Sequence, residues 1–105
     1  FDEAIKYLGE FKSEDVVLSA LAKGATGDAY SQKNQQKEAL DFYVKAADAN
    51  LTNDFTRPRF LLKAGKTALA LGNKAEALKY FTEIKDNFDT TPEGQQIDAL
   101  IGLAQ

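Results

Sequence analysis

The chain has 105 residues, 44% of them hydrophobic and 28% charged, which fits one globular domain and excludes a disordered acidic tail. Its 13 Lys and Arg against 16 Asp and Glu leave a net charge of −3, so no nucleic-acid partner is expected of it. It contains no His, Cys, Met or Trp, which removes the commonest general acid–base group, the thiol nucleophile, and metal, haem or iron–sulfur ligation through those side chains. No cofactor and no metal are therefore expected, while the lack of Cys suits a reducing or an oxidising compartment equally.

Taken in chain order, the pattern predicts six helices and no strand. The first covers about 2–11; because the chain opens inside it, at Phe1, the sequence reads as a processed product or an excised fragment. Ser13 followed by Glu14 and Asp15 reads as an N-cap and acidic first turn, opening a helix over 14–33. Asn34 tolerates the left-handed backbone that ends a helix, and a third helix follows over 36–49 with Ala39, Leu40, Tyr43, Ala46 and Ala47 on one stripe. After a polar linker, Asn50 to Asp54, a fourth helix is expected over 56–71. Gly72 closes it, Asn73 and Glu76 form a capping pair, and a fifth helix over 74–87 carries Ala77, Leu78, Phe81 and Ile84 on its stripe. Thr91 before Pro92 caps a last helix over 92–104. No run approaches the roughly 20 apolar residues of a membrane span, so no direct membrane insertion by this segment is expected. Any anchor or targeting signal would lie outside these residues.

The sequence also repeats. A shift of 38 lays Gly27 on Gly65, Asn34 on Gly72, Ala39 on Ala77, Leu40 on Leu78, Phe42 on Tyr80, Tyr43 on Phe81 and Ala46 on Ile84. A shift of 35 lays Ala4 on Ala39, Ile5 on Leu40, Tyr7 on Phe42 and Leu8 on Tyr43, as though another copy were entered halfway through. Such periods mark stacked helical hairpins.

These residues resemble the tetratricopeptide repeat (TPR), whose pattern is W-x2-L-G-x2-Y followed by A-x3-F. One block reads Lys23, Thr26, Gly27, Tyr30, then Ala39 and Tyr43; the next reads Leu61, Ala64, Gly65, Ala68, then Ala77 and Phe81; Ile101 and Gly102 resemble the L-G pair of one more first helix. Lys23 and Leu61 depart from the Trp position and Ala68 from the Tyr position, and the linker at Asn50 to Asp54 accounts for the longer period. The resemblance implies an all-α fold of antiparallel helical pairs, stacked as a short right-handed solenoid. It divides one domain, 1–105, into the second helix of a truncated repeat at 1–12, repeats at 14–50 and 55–88, and a terminal capping helix at 91–105. Gly27, Gly65, Ala39 and Ala77 would let paired helices approach closely, with Tyr43 and Phe81 filling the space between pairs. A plain helical bundle would share the stripes but has no need of the same Gly-to-Ala interval twice.

The segments Phe1–Leu8, Gly27–Tyr30, Leu61–Gly65, Ala77–Phe88 and Ile97–Ala104 are similar to YfgM-like bacterial envelope proteins, which hold such repeats on the periplasmic side of an N-terminal membrane helix. That likeness implies a periplasmic scaffold, membrane-anchored in full length, meeting translocation or folding factors; a cytoplasmic setting is the alternative.

Enzyme chemistry finds little purchase. Glu14 and Asp15 are adjacent and suit the helix dipole better than a paired-carboxylate site. Asp48, Asn50, Asn53 and Asp54 lack the alternation, central Gly and final Glu of a calcium loop and read as a solvated turn. Gly24 and Gly27 follow no strand and precede no Lys-Ser/Thr pair, so they read as packing glycines rather than a phosphate loop. Tyr7, Tyr30, Phe42, Tyr43, Tyr80 and Phe81 lie at core spacings. The chain is thus expected to be no enzyme, with a carboxylate-based hydrolase kept as an alternative.

One constellation suggests binding. Arg59, Lys63 and Lys66 recur at i, i+4 and i+7 beside Leu62, and Leu21, Ala25 and Asp28 hold the matching places in the earlier helix. By resemblance, these positions line a concave groove that would be apolar and mildly acidic at one end and basic at the other. It differs from the Lys/Asn carboxylate clamp of co-chaperone repeats, because Leu21, Gly24 and Ala25 are uncharged. The expected partner is a protein or peptide segment carrying acidic residues, and an ordinary solvated basic face is the alternative. Self-association through the apolar last helix, Ile97, Leu100, Ile101 and Leu103, would make the chain a homo-oligomer.

Overall fold

The computed structural model describes the backbone of residues 12–105 and side chains from Val16 onward. The helix expected over 2–11 lies outside the described residues, as do the side chains of Ser13, Glu14 and Asp15. Six helices follow: α1 (Lys12–Gln32), α2 (Gln36–Asp48), α3 (Thr56–Ala70), α4 (Lys74–Asn87), α5 (Pro92–Gln95) and α6 (Ile97–Ala104). Among the described residues there is no strand. Each helix packs on its chain neighbours, α1 also meets α3, and α6 packs back on α4. The result is the expected all-α stack of helical pairs, 42 × 31 × 17 Å in extent.

The turns come from residue chemistry. Asn34 and Gly72 adopt φ of 61° and 81°, the left-handed region that Asn and Gly enter most readily. This geometry lets the Gln35 N–H reach the Tyr30 carbonyl and the Asn73 N–H reach the Ala68 carbonyl, both at 2.9 Å. Both hairpins thus close by the same bond, six residues back to one, that satisfies orphan carbonyls at a helix end. At the next helix start the Asn73 side chain accepts from the Glu76 N–H at 3.1 Å, whereas Gln35 makes no side-chain cap.

Packing repeats as the turns do. Ala39 and Ala77 are fully buried. A Cβ added to Gly27 would stand 2.7 Å from the Tyr43 ring, and one added to Gly65 would stand 2.3 Å from the Phe81 ring. In each hairpin a glycine on the first helix makes room for the aromatic sixteen residues later. Burying such a ring stabilises by about 1.5–3 kcal/mol. Gly24 serves the contact between hairpins: its absent Cβ leaves space for the Phe60 ring, which would otherwise be 2.1 Å away.

The linker between hairpins is a built turn, not merely a solvated one. Asn50 Oδ1 accepts from the Thr52 N–H and hydroxyl, and Asn53 Oδ1 accepts from the N–H groups of Phe55 and Thr56, capping α3. Arg57 fastens three elements: its guanidinium donates to Glu83 of α4 and, through one nitrogen, to the Ala47 carbonyl and Asp48 carboxylate of α2. Burial works against its charge, but Glu83 and Asp48 outweigh it and raise the pKa further.

Two boundaries differ from expectation. Ser13 falls inside α1 rather than ahead of it. The single helix expected over 92–104 divides at Gln96, which has φ −106° and ψ 5°. Thr91 does cap α5, accepting from the Gly94 N–H at 3.1 Å, but α5 is drawn tight against the end of α4: a Cβ on Gly94 would lie 2.2 Å from the Phe88 carbonyl oxygen. The chain turns at Gln96, and α6 buries Ile97 and Ala104.

Candidate functional site: the α1–α3 face

Of the side chains singled out in α1 and α3, Asp28 and Lys63 meet across the two helices. Lys63 Nζ of α3 donates to both carboxylate oxygens of Asp28 in α1, at 2.8 and 3.0 Å. The Tyr43 hydroxyl donates to the same carboxylate at 2.5 Å, and Lys63 Nζ stands 5.6 Å from the Tyr43 ring centroid. A ring that fills the space over Gly27 therefore also reaches the face with its polar tip. Burial pushes the Asp28 carboxyl upward, but bonds from Lys63 and Tyr43, with the charges of Lys63 and Arg59, outweigh it and hold the pKa below its ordinary 3.8. The Tyr43 phenol is pushed up by burial first and by its bond to Asp28 second, so it stays neutral.

Around this centre, Leu21 is half-buried and Ala25 exposed on α1, while Leu62 is buried on α3. Arg59 is exposed and lies over the rings of Phe55 and Phe60, 5.8 and 5.9 Å from their centroids. Lys66 is exposed, and among the described residues no carboxylate pairs with Arg59 or Lys66. The structure thus brings Asp28 and Lys63 together as an ion pair, while among the described residues Arg59 and Lys66 stand without a carboxylate partner. An expectation built on three equivalent cations is revised: Lys63 belongs to the scaffold that holds the face in register.

The sequence spacing places Tyr43 in the core and does not show its bond to Asp28. The available signal was the mismatch at aligned positions, Tyr43 with Asp28 in one hairpin and Phe81 with Lys66 in the other. The Arg57 cluster and the stacking of Arg59 on Phe55 had no such signal. Elsewhere, Asp48 is engaged by Arg57, and among the described residues no group of three or more acidic side chains is placed to hold a metal ion. No helix of the described residues is long and apolar enough to cross a membrane.

Comparison with known proteins agrees with the helical-repeat fold. Residues 24–53, which hold most of the α1–α2 hairpin, match the family model of the tetratricopeptide repeat. Neither the curated proteins nor the solved structures give a match.

Proposed function

We propose that the chain is a non-catalytic scaffold that captures a protein segment on the α1–α3 face. The observation that carries the reading is the Asp28–Lys63 pair. It links the two first helices, with half-buried Leu21 and exposed Ala25 beside it on α1 and, on α3, Arg59 and Lys66 as positive charge that no carboxylate of the described residues pairs. An extended or helical segment with acidic residues complements that surface. The charges act chiefly on association rate and fade beyond a screening length of about 8 Å at physiological salt. An envelope setting on the periplasmic side, with an anchor elsewhere in the full-length protein, is the most specific version; its support is the likeness of the segments named above to YfgM-like proteins.

The test compares the intact chain with an Arg59→Glu/Lys66→Glu variant, each first shown to be folded, for binding to acidic peptides at low and high salt. Lys63→Glu is unsuitable, since it would set a second carboxylate against Asp28 and disturb the scaffold itself. Weakened binding at low salt, with the difference narrowing at high salt, is expected. Equal binding by both chains under both conditions would show that the face is only solvated.

A further inference from the structure

The turn between the two hairpins and the end of α4 enclose a cleft of about 260 Å³, lined by Leu51, Thr52, Asp54, Glu83, Asn87 and Phe88. Small-molecule pockets run to about 300–1,000 Å³, so this one suits a single side chain better than a cofactor. Phe88 is buried and gives it an apolar floor, while Leu51 stands at its rim, 61% exposed. The charge of the lining has one sign. Asp54 pairs with no cation of the described residues, and Glu83 meets Arg57 through Oε2 alone. The other bonds of Arg57 run away from the cleft, to Ala47 and Asp48. Asn87 and Phe88 mark the C-terminal end of α4, where the helix dipole adds partial negative charge. The fold itself does not account for this lining: the side chains that hold the turn are Asn50 and Asn53, whereas Leu51 and Asp54 stay exposed.

We propose that this cleft docks a lysine of a partner protein together with an apolar residue beside it. The aliphatic stem of the lysine lies along Phe88 and Leu51, its ammonium reaches Asp54 and the unbonded Oε1 of Glu83, and the neighbouring apolar residue covers the rest of Leu51. Charge complementarity selects this occupant. An acidic segment would set like charge against Asp54, and a wholly apolar one would cover that carboxylate without a counter-charge. The cleft shares no residue with the α1–α3 face and takes a ligand of the opposite sign, so the proposal does not depend on that reading.

The test titrates the acetylated, amidated pentapeptide SLKLS into the isotopically labelled 105-residue chain. Saturable amide shifts centred on Leu51, Asp54 and Asn87 are expected, with at least fivefold weaker binding by the neutral counterpart SLQLS. Asp54→Asn and Leu51→Ser in the protein should each weaken binding of SLKLS at least threefold; both side chains are exposed, so the spectra of the unbound variants should otherwise match that of the intact chain. Absent shifts at these residues, shifts centred elsewhere, or equal binding of the two pentapeptides would overturn the proposal. Putrescine binding at the cleft as tightly as SLKLS would overturn it too, by assigning the cleft to a free amine. So would shifts at the same residues on concentrating the protein alone, which would assign it to a second copy.

Discussion

The hairpins α1–α2 and α3–α4 have the same backbone plan and different chemistry at two aligned positions. In the first, the aromatic under the glycine is Tyr43, whose hydroxyl holds Asp28 against Lys63. In the second it is Phe81, fully buried and without a polar tip, and the residue aligned with Asp28 is the exposed Lys66. The apolar body of the ring fixes the hairpin in both. The hydroxyl and the Asp28 carboxylate occur together in the first hairpin, where Lys63 is engaged, and the second hairpin has neither. A repeat can therefore keep its core packing while the charges it exposes change.

The largest effects should come from the shared part. Phe81→Ala is expected to cost about 3–5 kcal/mol in chemical denaturation, as large core deletions do. Tyr43→Phe keeps the ring and should cost only about 0.5–1.5 kcal/mol. If the two losses were equal, the ring would not be the common structural element. Next, Ala39→Leu and Ala77→Leu should each overpack a fully buried contact and cost about 1–3 kcal/mol. A loss at only one of them would show that the hairpins are not in the same register.

The turns give a smaller contrast. Gly72→Ala forces a side chain into the left-handed region and should lose about 1–2 kcal/mol, whereas Asn34→Gly should change stability by less than about 0.5 kcal/mol. Thermal melts of the two variants check this.

Smallest is the Asp28–Lys63 pair. The Asp28 carboxyl has a lowered pKa in the folded state, so its contribution is present above the unfolded value near 3.8 and is lost as pH falls through the folded value. Asp28→Asn should therefore be less stable than the intact chain at pH 7, by at most about 1 kcal/mol because the pair is part-exposed, and the gap should close below about pH 4. A gap independent of pH would mean that the carboxylate charge contributes nothing.

The sequence revealed the features that recur and missed those that do not. The positions of Asn34 and Gly72, and of Ala39 and Ala77, follow from backbone and volume requirements that only a few residue types meet. Helical periodicity likewise placed Arg59 and Lys63 on the face of α3. It did not show that Lys63 would pair with Asp28, 35 residues away. That bond depends on how closely α1 and α3 cross, which Gly24 and Phe60 set through a contact with no local signature. The break at Gln96 was hidden for a similar reason: Thr91 and Pro92 announce a helix start, while the need to bury Ile97 against the preceding helices is a property of the packed chain.

The central claim is that partners meet the α1–α3 face. The most direct measurement is site-specific photocrosslinking, with a reactive phenyl ketone side chain at exposed Ala25 on that face or at exposed Lys37 on α2, in the full-length protein in its own cell. The account predicts a discrete protein adduct from position 25, reduced by Arg59→Glu/Lys66→Glu, and none from position 37. Adducts from position 37 alone, or from position 25 without any effect of the charge reversal, would contradict it.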